Sequence, residues 1–173
     1  MPDVQAFHFK DDGGTPNNPN LPLLVYRAAV CLAGERDPAA PFERAFARHG
    51  WGNGWRNGIY PFLHFHTATH EVLGIARGRA TVEFGGAKGR VLTVEAGDVV
   101  VLPAGTGHRR TDASDDLLVV GAYPGNSAFD QKRPGQVDHA KAVAAIAKVP
   151  MPEMDPIYGE GGPLMQMWTV VRP

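Results

Sequence analysis

The sequence predicts an all-β fold: a sandwich or barrel of short strands with a few short flanking helices. Three observations predict it. From Ile59 to Tyr123, short apolar runs alternate with turn signals, the pattern of a small sandwich or barrel. Gly and Pro are abundant, at 21 and 15 of 173 residues, which favours turns over long helices. Helical spacing is confined to two short segments.

The elements follow in order. DDGGTPNNPN, residues 11–20, reads as a polar linker with no packing signal. PLLVYRAAV, residues 22–30, reads as a strand. PFERAFARHG, residues 41–50, reads as a short helix, because Phe42, Ala45, Phe46 and His49 share one face and Gly50 can cap its end. WGNGWRNG, residues 51–58, is too rich in Gly for a strand and reads as a loop or irregular crossing. IYPFLHF, EVLGIA, ATVEF, RVLTV, VVVL and LLVVGAY read as strands, with GGAKG (85–89) and EAGD (95–98) as turns. AKAVAAIAKV, residues 140–149, reads as an Ala-rich helix, and the tail from Pro156 as a loop and then a strand returning to a sheet edge.

Composition narrows the classes of function. With 173 residues, one domain with a sizeable core is expected. A net charge of -1 gives no reason to expect nucleic acid or an acidic membrane as partner. No segment has the apolar length of a bilayer span. The N-terminus lacks the basic-then-apolar pattern of a signal peptide, so a cytoplasmic location is the default expectation. The single Cys31 cannot form an internal disulfide. In the run AAVCLA it reads as a small buried hydrophobe, with a reactive thiol as the alternative.

The chemistry concentrates at four residues. His64, His66 and Glu71 lie in HFHTATHE, and His108 follows in PAGTGH. Residues two apart on a strand face the same way, so His64 and His66 can bind one ion. Glu71 is out of phase by one residue, and the polar TAT between them allows the phase to reset. Glu71, Leu73 and Ile75 then face inward, while His70 and Val72 face outward. His108 follows a Pro103/Gly105 turn that can aim it back at the site. Three imidazoles and one carboxylate hold one side of an ion and leave the other open.

These residues resemble a family. GIYPFLHFHTATHEVLGIARG resembles the first motif of the cupins: Gly58, five residues, His64-x-His66, four residues, Glu71, six residues, Gly78. GDVVVLPAGTGHRRTD resembles the second: Gly97, five residues, Pro103-x-Gly105, two residues, His108, with Asp112 where the motif usually ends in Asn. Beyond the motifs, NNPNLPLLVYR, WGNGWRNGIYPFLHFH and DPIYGEGGPLMQMW are similar to the bacterial YjlB-like single-domain cupins. The resemblance implies one cupin barrel, a double-stranded β-helix or jelly roll. It would occupy residues 21–173 with its motif core at 58–112, after a polar extension over 1–20. It implies no particular activity.

Around the ligands, Arg56, Tyr60, His70 and Tyr123 are candidate pocket residues. Arg56 could bind a substrate carboxylate or phosphate as a two-pronged donor, or Trp51, Trp55 and Arg56 could simply anchor packing. His70 reads mainly as an outer-face or mouth residue beside a ligand. Tyr60, Phe62, Tyr123 and Trp168 read as wall or core residues, and at least one of Arg109 and Arg110 should face solvent. One divalent transition metal is expected, from Fe, Mn, Ni, Co, Zn or Cu. Three functions fit. The first is a metal-dependent enzyme acting on a small polar metabolite, by oxygenation or by isomerase or lyase chemistry, with Glu71 or a metal-bound hydroxide as general base. The second is a non-catalytic module that binds or senses a small molecule or the metal. The third is a barrel with a purely structural ion. A homodimer formed through exposed strand edges is also expected.

Overall fold

Short apolar runs bounded by Gly, Pro and charged turns become short strands, and every strand pair is antiparallel. The structure is a computed structural model that describes residues 2–169. In chain order it contains β1 (Val4–Phe7), β2 (Leu23–Tyr26), α1 (Ala40–Arg48), β3 (Trp51–Asn57), β4 (Glu71–Arg77), β5 (Arg79–Phe84), β6 (Arg90–Glu95), β7 (Val99–Leu102), β8 (His108–Ala113), β9 (Leu118–Pro124), α2 (His139–Ile146) and α3 (Pro163–Met167). A large sheet runs β1-β2-β7-β4-β9-β3, and a small one runs β6-β5-β8.

The two sheets share one apolar layer. Leu73, Ile75, Val100 and Leu102 of the large sheet meet Val82, Phe84 and Val94 of the small one. The alternate residues of the same strands, Val72, Val99, Val101 and Ala122, pack on the other side, against Phe42 and Phe46 of α1 and against Trp51, Leu164 and Trp168. Both faces of the large sheet are therefore covered, which is why β2 and β7 read as continuous apolar runs rather than alternating ones. The face of β4 that carries Val72 points away from the small sheet, as its phase predicts, but it is a second core and not a solvent surface. Gly74 makes the close approach possible: a Cβ there would sit 2.3 Å from the Phe42 ring.

Several expectations are corrected. Residues 51–57 form β3, not a loop. The strand is bulged between Gly52 and Trp55, with Asn53 at φ 51, so its alternation is broken and the sequence pattern hides it. Conversely, residues 59–65 form no continuous strand. This segment crosses from the large sheet to the small one and makes only isolated bridges, His64 with His108 and Phe65 with Lys132.

The N-terminal residues do not form a free extension. Val4–Phe7 pairs with β2, and the Asn17 and Asn18 side chains are buried. Asn17 donates to the carbonyls of Lys10 and Gly85 and accepts from the Gly107 N–H, while Asn18 donates to the Ala104 carbonyl. Carboxamides that read as linker polarity thus satisfy the backbone beside the second motif. Gly105 is required in that same turn. Its φ is +92, and a Cβ would lie 2.4 Å from the Asn17 carbonyl oxygen.

The tail differs too. Residues 163–167 form α3, with Pro163 in its first turn, instead of a strand. The end of the expected strand, residues 170–171, lies outside the described residues. Asp155 organises this region. Its carboxylate accepts from the Tyr26 hydroxyl at 2.7 Å and from the backbone N–H groups of Ile157, Tyr158 and Leu164. Cys31 is exposed, because the chain turns off the sheet after Tyr26, through Ala28 at φ 47.

Candidate metal centre

The crossing segment brings His64 and His66 to the mouth between the sheets, β8 begins with His108 and β4 begins with Glu71. One ring nitrogen from each of His64, His66 and His108 lies within 4.8 Å of the others. Glu71 Oε2 lies 3.2 Å from His66 Nε2 and 3.5 Å from His108 Nε2. The four predicted ligands are thus brought together, with the carboxylate against two of the three imidazoles.

The orientation of each ring is fixed from behind. Nδ1 of His64 lies 3.0 Å from the Phe62 carbonyl, and Nδ1 of His108 lies 3.0 Å from the Thr106 carbonyl. Nδ1 of His66 bonds to the Asp130 carbonyl. A carbonyl only accepts, so each Nδ1 must carry the hydrogen, and each Nε2 of the neutral ring presents its lone pair. This is the outer support that metal-binding imidazoles usually have.

The carboxylate is held in the same manner. The Tyr123 hydroxyl donates to Glu71 Oε1 at 3.1 Å, and Trp55 Nε1 donates to the Tyr123 oxygen at 2.8 Å. Oε2 is left as the free oxygen. Glu71 Oε2 and His66 Nε2 are both buried without a hydrogen-bond partner. They lie 3.2 Å apart, and with the imidazole hydrogen on Nδ1 neither atom has one to donate. Leaving such atoms unmet is costly, and a divalent cation among these donors would satisfy them together. The donor set therefore fits a divalent metal ion.

The electrostatics agree. Burial, reinforced by the His108 imidazole, pushes His64 down to about 3 and keeps it neutral. Burial acts the same way on His66, but the adjacent Glu71 carboxylate and the Asp130 carbonyl outweigh it and raise its pKa. Burial opposes ionisation of Glu71, yet His66 and His108 prevail and hold its carboxyl below the usual range. The His66 and Glu71 shifts share one cause: with no ion between them, each group favours the charged form of the other.

His64, His66, Glu71 and His108 border one cavity of about 290 Å³, with Tyr60 and Tyr123 in its wall. The other two pocket candidates lie elsewhere. Arg56 turns to the surface, where it holds Glu43 at 2.7 Å and Asp37 at 2.9 Å, since α1 and the turn before it present both carboxylates. His70 points to the opposite face of the large sheet. Its Nδ1 accepts from the Ala104 N–H at 2.9 Å, and its ring packs 4.8 Å from that of Trp168. Burial lowers its pKa to about 4, so it is neutral there. Arg109 pairs with Glu83 at the surface, and Arg110 donates to the Ile59 carbonyl.

Sequence reasoning missed a wall of the site. The stretch between β9 and α2 carries Phe129 and Gln131 into the cavity lining, and Asp130 clamps the turn after His66. Its carboxylate accepts from the N–H groups of Thr67 and Ala68 and from the Thr67 hydroxyl. No periodicity marks this stretch, so no local signal identifies it. Trp55, read as an anchor, also lines the cavity.

No protein-family model matches the sequence. The uncharacterized protein YjlB of Bacillus subtilis (strain 168) is 40% identical over 167 residues, covering 96% of this chain and 98% of that protein. Among solved structures, acireductone dioxygenase from Bacillus anthracis, with a cadmium ion in its active center, has 17% identity and a TM-score of 0.41, over 60% of this chain and 70% of that one. The 11S globulin from Wrightia tinctoria has 14% identity and a TM-score of 0.38, over 53% of this chain and 29% of that one. A mutant of Bacillus subtilis oxalate decarboxylase has 18% identity and a TM-score of 0.36, over 65% of this chain and 22% of that one. The fold and the two motifs agree with the relationship that the near full-length 40% identity establishes, and the chain belongs to the YjlB-like cupins.

Proposed function

We propose that this protein is a metal-dependent enzyme acting on a small metabolite, with His64, His66, Glu71 and His108 holding one divalent transition metal. One observation carries the reading: all four residues border the same cavity, so the ion would face a space of ligand size and not a closed core. An ion in such a site acts as a Lewis acid or lowers the pKa of bound water.

The chain's own groups supply the rest. The carbonyls of Phe62, Thr106 and Asp130 set the three rings. Tyr123 and Trp55 hold Glu71 by Oε1, so Oε2 is the atom free to serve the ion or to accept a proton. Apolar walls at Ile59, Leu73 and Phe129 limit water at the reacting face. The chemistry is oxygenation, or isomerase or lyase conversion without oxygen.

The test has two parts. Metal content of purified protein should be about one divalent ion per chain, and His64→Ala should abolish it. Protein loaded separately with Fe(II), Mn(II) or Ni(II) is then incubated with a metabolite mixture, with and without oxygen. Turnover only in oxygen identifies an oxygenase, and turnover without it an isomerase or lyase. A metabolite retained but unconverted, with every metal, would replace the enzyme reading with that of a binding module.

A further inference from the structure

Two stacked aromatic pairs flank the cavity. Tyr60 stacks on Phe62 at 4.8 Å with 17° between the rings, and Tyr123 stacks on Phe129 at 5.0 Å with 20°. Each pair also abuts one ligand imidazole edge-on, Tyr60 against His64 at 5.5 Å and Phe129 against His66 at 5.9 Å. Tyr60 and Phe129 nevertheless remain 49% and 47% exposed while lining the cavity. Aromatic surface open at a pocket mouth, with its other side already stacked, is surface available to a ligand ring.

Charge points the same way. Among the described residues, neither Lys nor Arg borders this cavity. Nearby guanidinium groups have partners of their own: Arg133 lies over the Phe62 ring at 3.6 Å, behind the Tyr60/Phe62 pair, Arg110 holds the Ile59 carbonyl and Arg56 holds Glu43 and Asp37. Among the described residues that line the cavity, Glu71 is the one carboxylate and no ammonium or guanidinium group faces it. Polar recognition is left to neutral groups such as the carboxamides of Asn57 and Gln131.

We infer that the site takes a planar, uncharged ring bearing oxygen donors on one edge, received between the Tyr60/Phe62 and Tyr123/Phe129 pairs. The oxygen-bearing edge rests on the metal reading above. The ring cleft rests on the aromatic geometry alone. An o-diphenol has this chemistry, and a small dianion such as oxalate lacks the ring.

The experiment compares three probes on wild type, Tyr60→Ala and Phe129→Ala, by calorimetry and ligand-observed NMR. Catechol and oxalate are titrated into zinc-loaded protein without oxygen, and phenol into zinc-loaded and metal-free protein. Zinc per chain is measured on the same samples. Each substitution should weaken catechol and phenol by roughly tenfold while oxalate changes by less than about twofold. Equal losses for oxalate and catechol, or ring binding unchanged in both variants, would overturn the inference. Wild type that takes up no zinc would refute the metal reading alone, since phenol reports the cleft with or without the ion.

Discussion

Two buried carboxylates, Glu71 and Asp155, lie on opposite sides of the large sheet and are satisfied in opposite ways. On the inner face, Glu71 leaves Oε2 without a hydrogen-bond partner next to His66 Nε2, which is equally unmet. On the outer face, beneath the C-terminal segment, Asp155 is fully buried and has a donor for each need: the Tyr26 hydroxyl and three backbone N–H groups. Asp155 is satisfied on both oxygens within the chain, and Glu71 is held through Oε1 alone. Burial does not distinguish the two carboxylates, since both are almost wholly buried; what sets Glu71 apart is an unmet oxygen beside a second unmet atom, whereas the unmet His70 Nε2 of the outer face stands outside the cavity.

The largest expected effect tests the two histidines that these faces divide. His66→Ala should reduce metal affinity by more than about 100-fold, because it removes a ligand outright, whereas a lost supporting group costs less. His70→Gln, four residues on, should leave metal content at the wild-type level. Metal lost equally in both variants would erase the distinction between the faces. Atomic emission on purified protein gives the answer.

Asp155→Ala should lower the unfolding free energy by roughly 3 kcal/mol, since it strands the Tyr26 hydroxyl and buried N–H groups together. Metal bound per folded chain should not change. Denaturant melts read the first quantity, and metal analysis of the folded fraction reads the second. A drop in metal per folded chain would show that the outer network also shapes the site.

Asp130→Ala should weaken metal binding by about tenfold, the scale of a lost supporting contact. The side chain touches no ligand ring, but it fixes the Thr67–Ala68 turn and, with it, the carbonyl that orients His66. Competition with a chelator of known affinity measures it. An unchanged affinity would mean that Phe65 and Lys132, bridged to each other, hold the segment without the clamp.

The smallest effect belongs to Arg56→Ala. Its ion pairs with Glu43 and Asp37 are exposed, so salt should screen them. A slight fall in melting temperature that shrinks in high salt is expected, with metal content and ligand affinity unchanged. A loss of ligand affinity would restore Arg56 to the pocket.

Particular residues show how far the sequence reached. The phase argument for β4 separated Glu71 from His70 correctly, because strand side chains alternate whatever packs against them. β4, β5, β6, β7 and β9 were legible as apolar runs between turns, as was the Phe42 and Phe46 face of α1, whereas β8, HRRTDA, carries no apolar run. β3 was not legible, because a bulge breaks its period and it has Gly at positions where alternation would show. The Asn17 and Asn18 anchors looked like linker because a carboxamide that bonds to distant backbone has the same local signature as one that bonds to water.

The sequence by itself determined the four candidate ligands and the sheet-forming core, which depend on local spacing, and the kinship of the chain, which rests on residues along nearly its whole length. Tertiary structure alone decided what surrounds the ligands. It brought Phe129 and Asp130 from beyond β9 to His66, sent Arg56 to the surface and set Tyr123 behind Glu71. Those contacts join residues 13 to 64 positions apart. Their free energy comes from packing and burial across the fold, which no local pattern records.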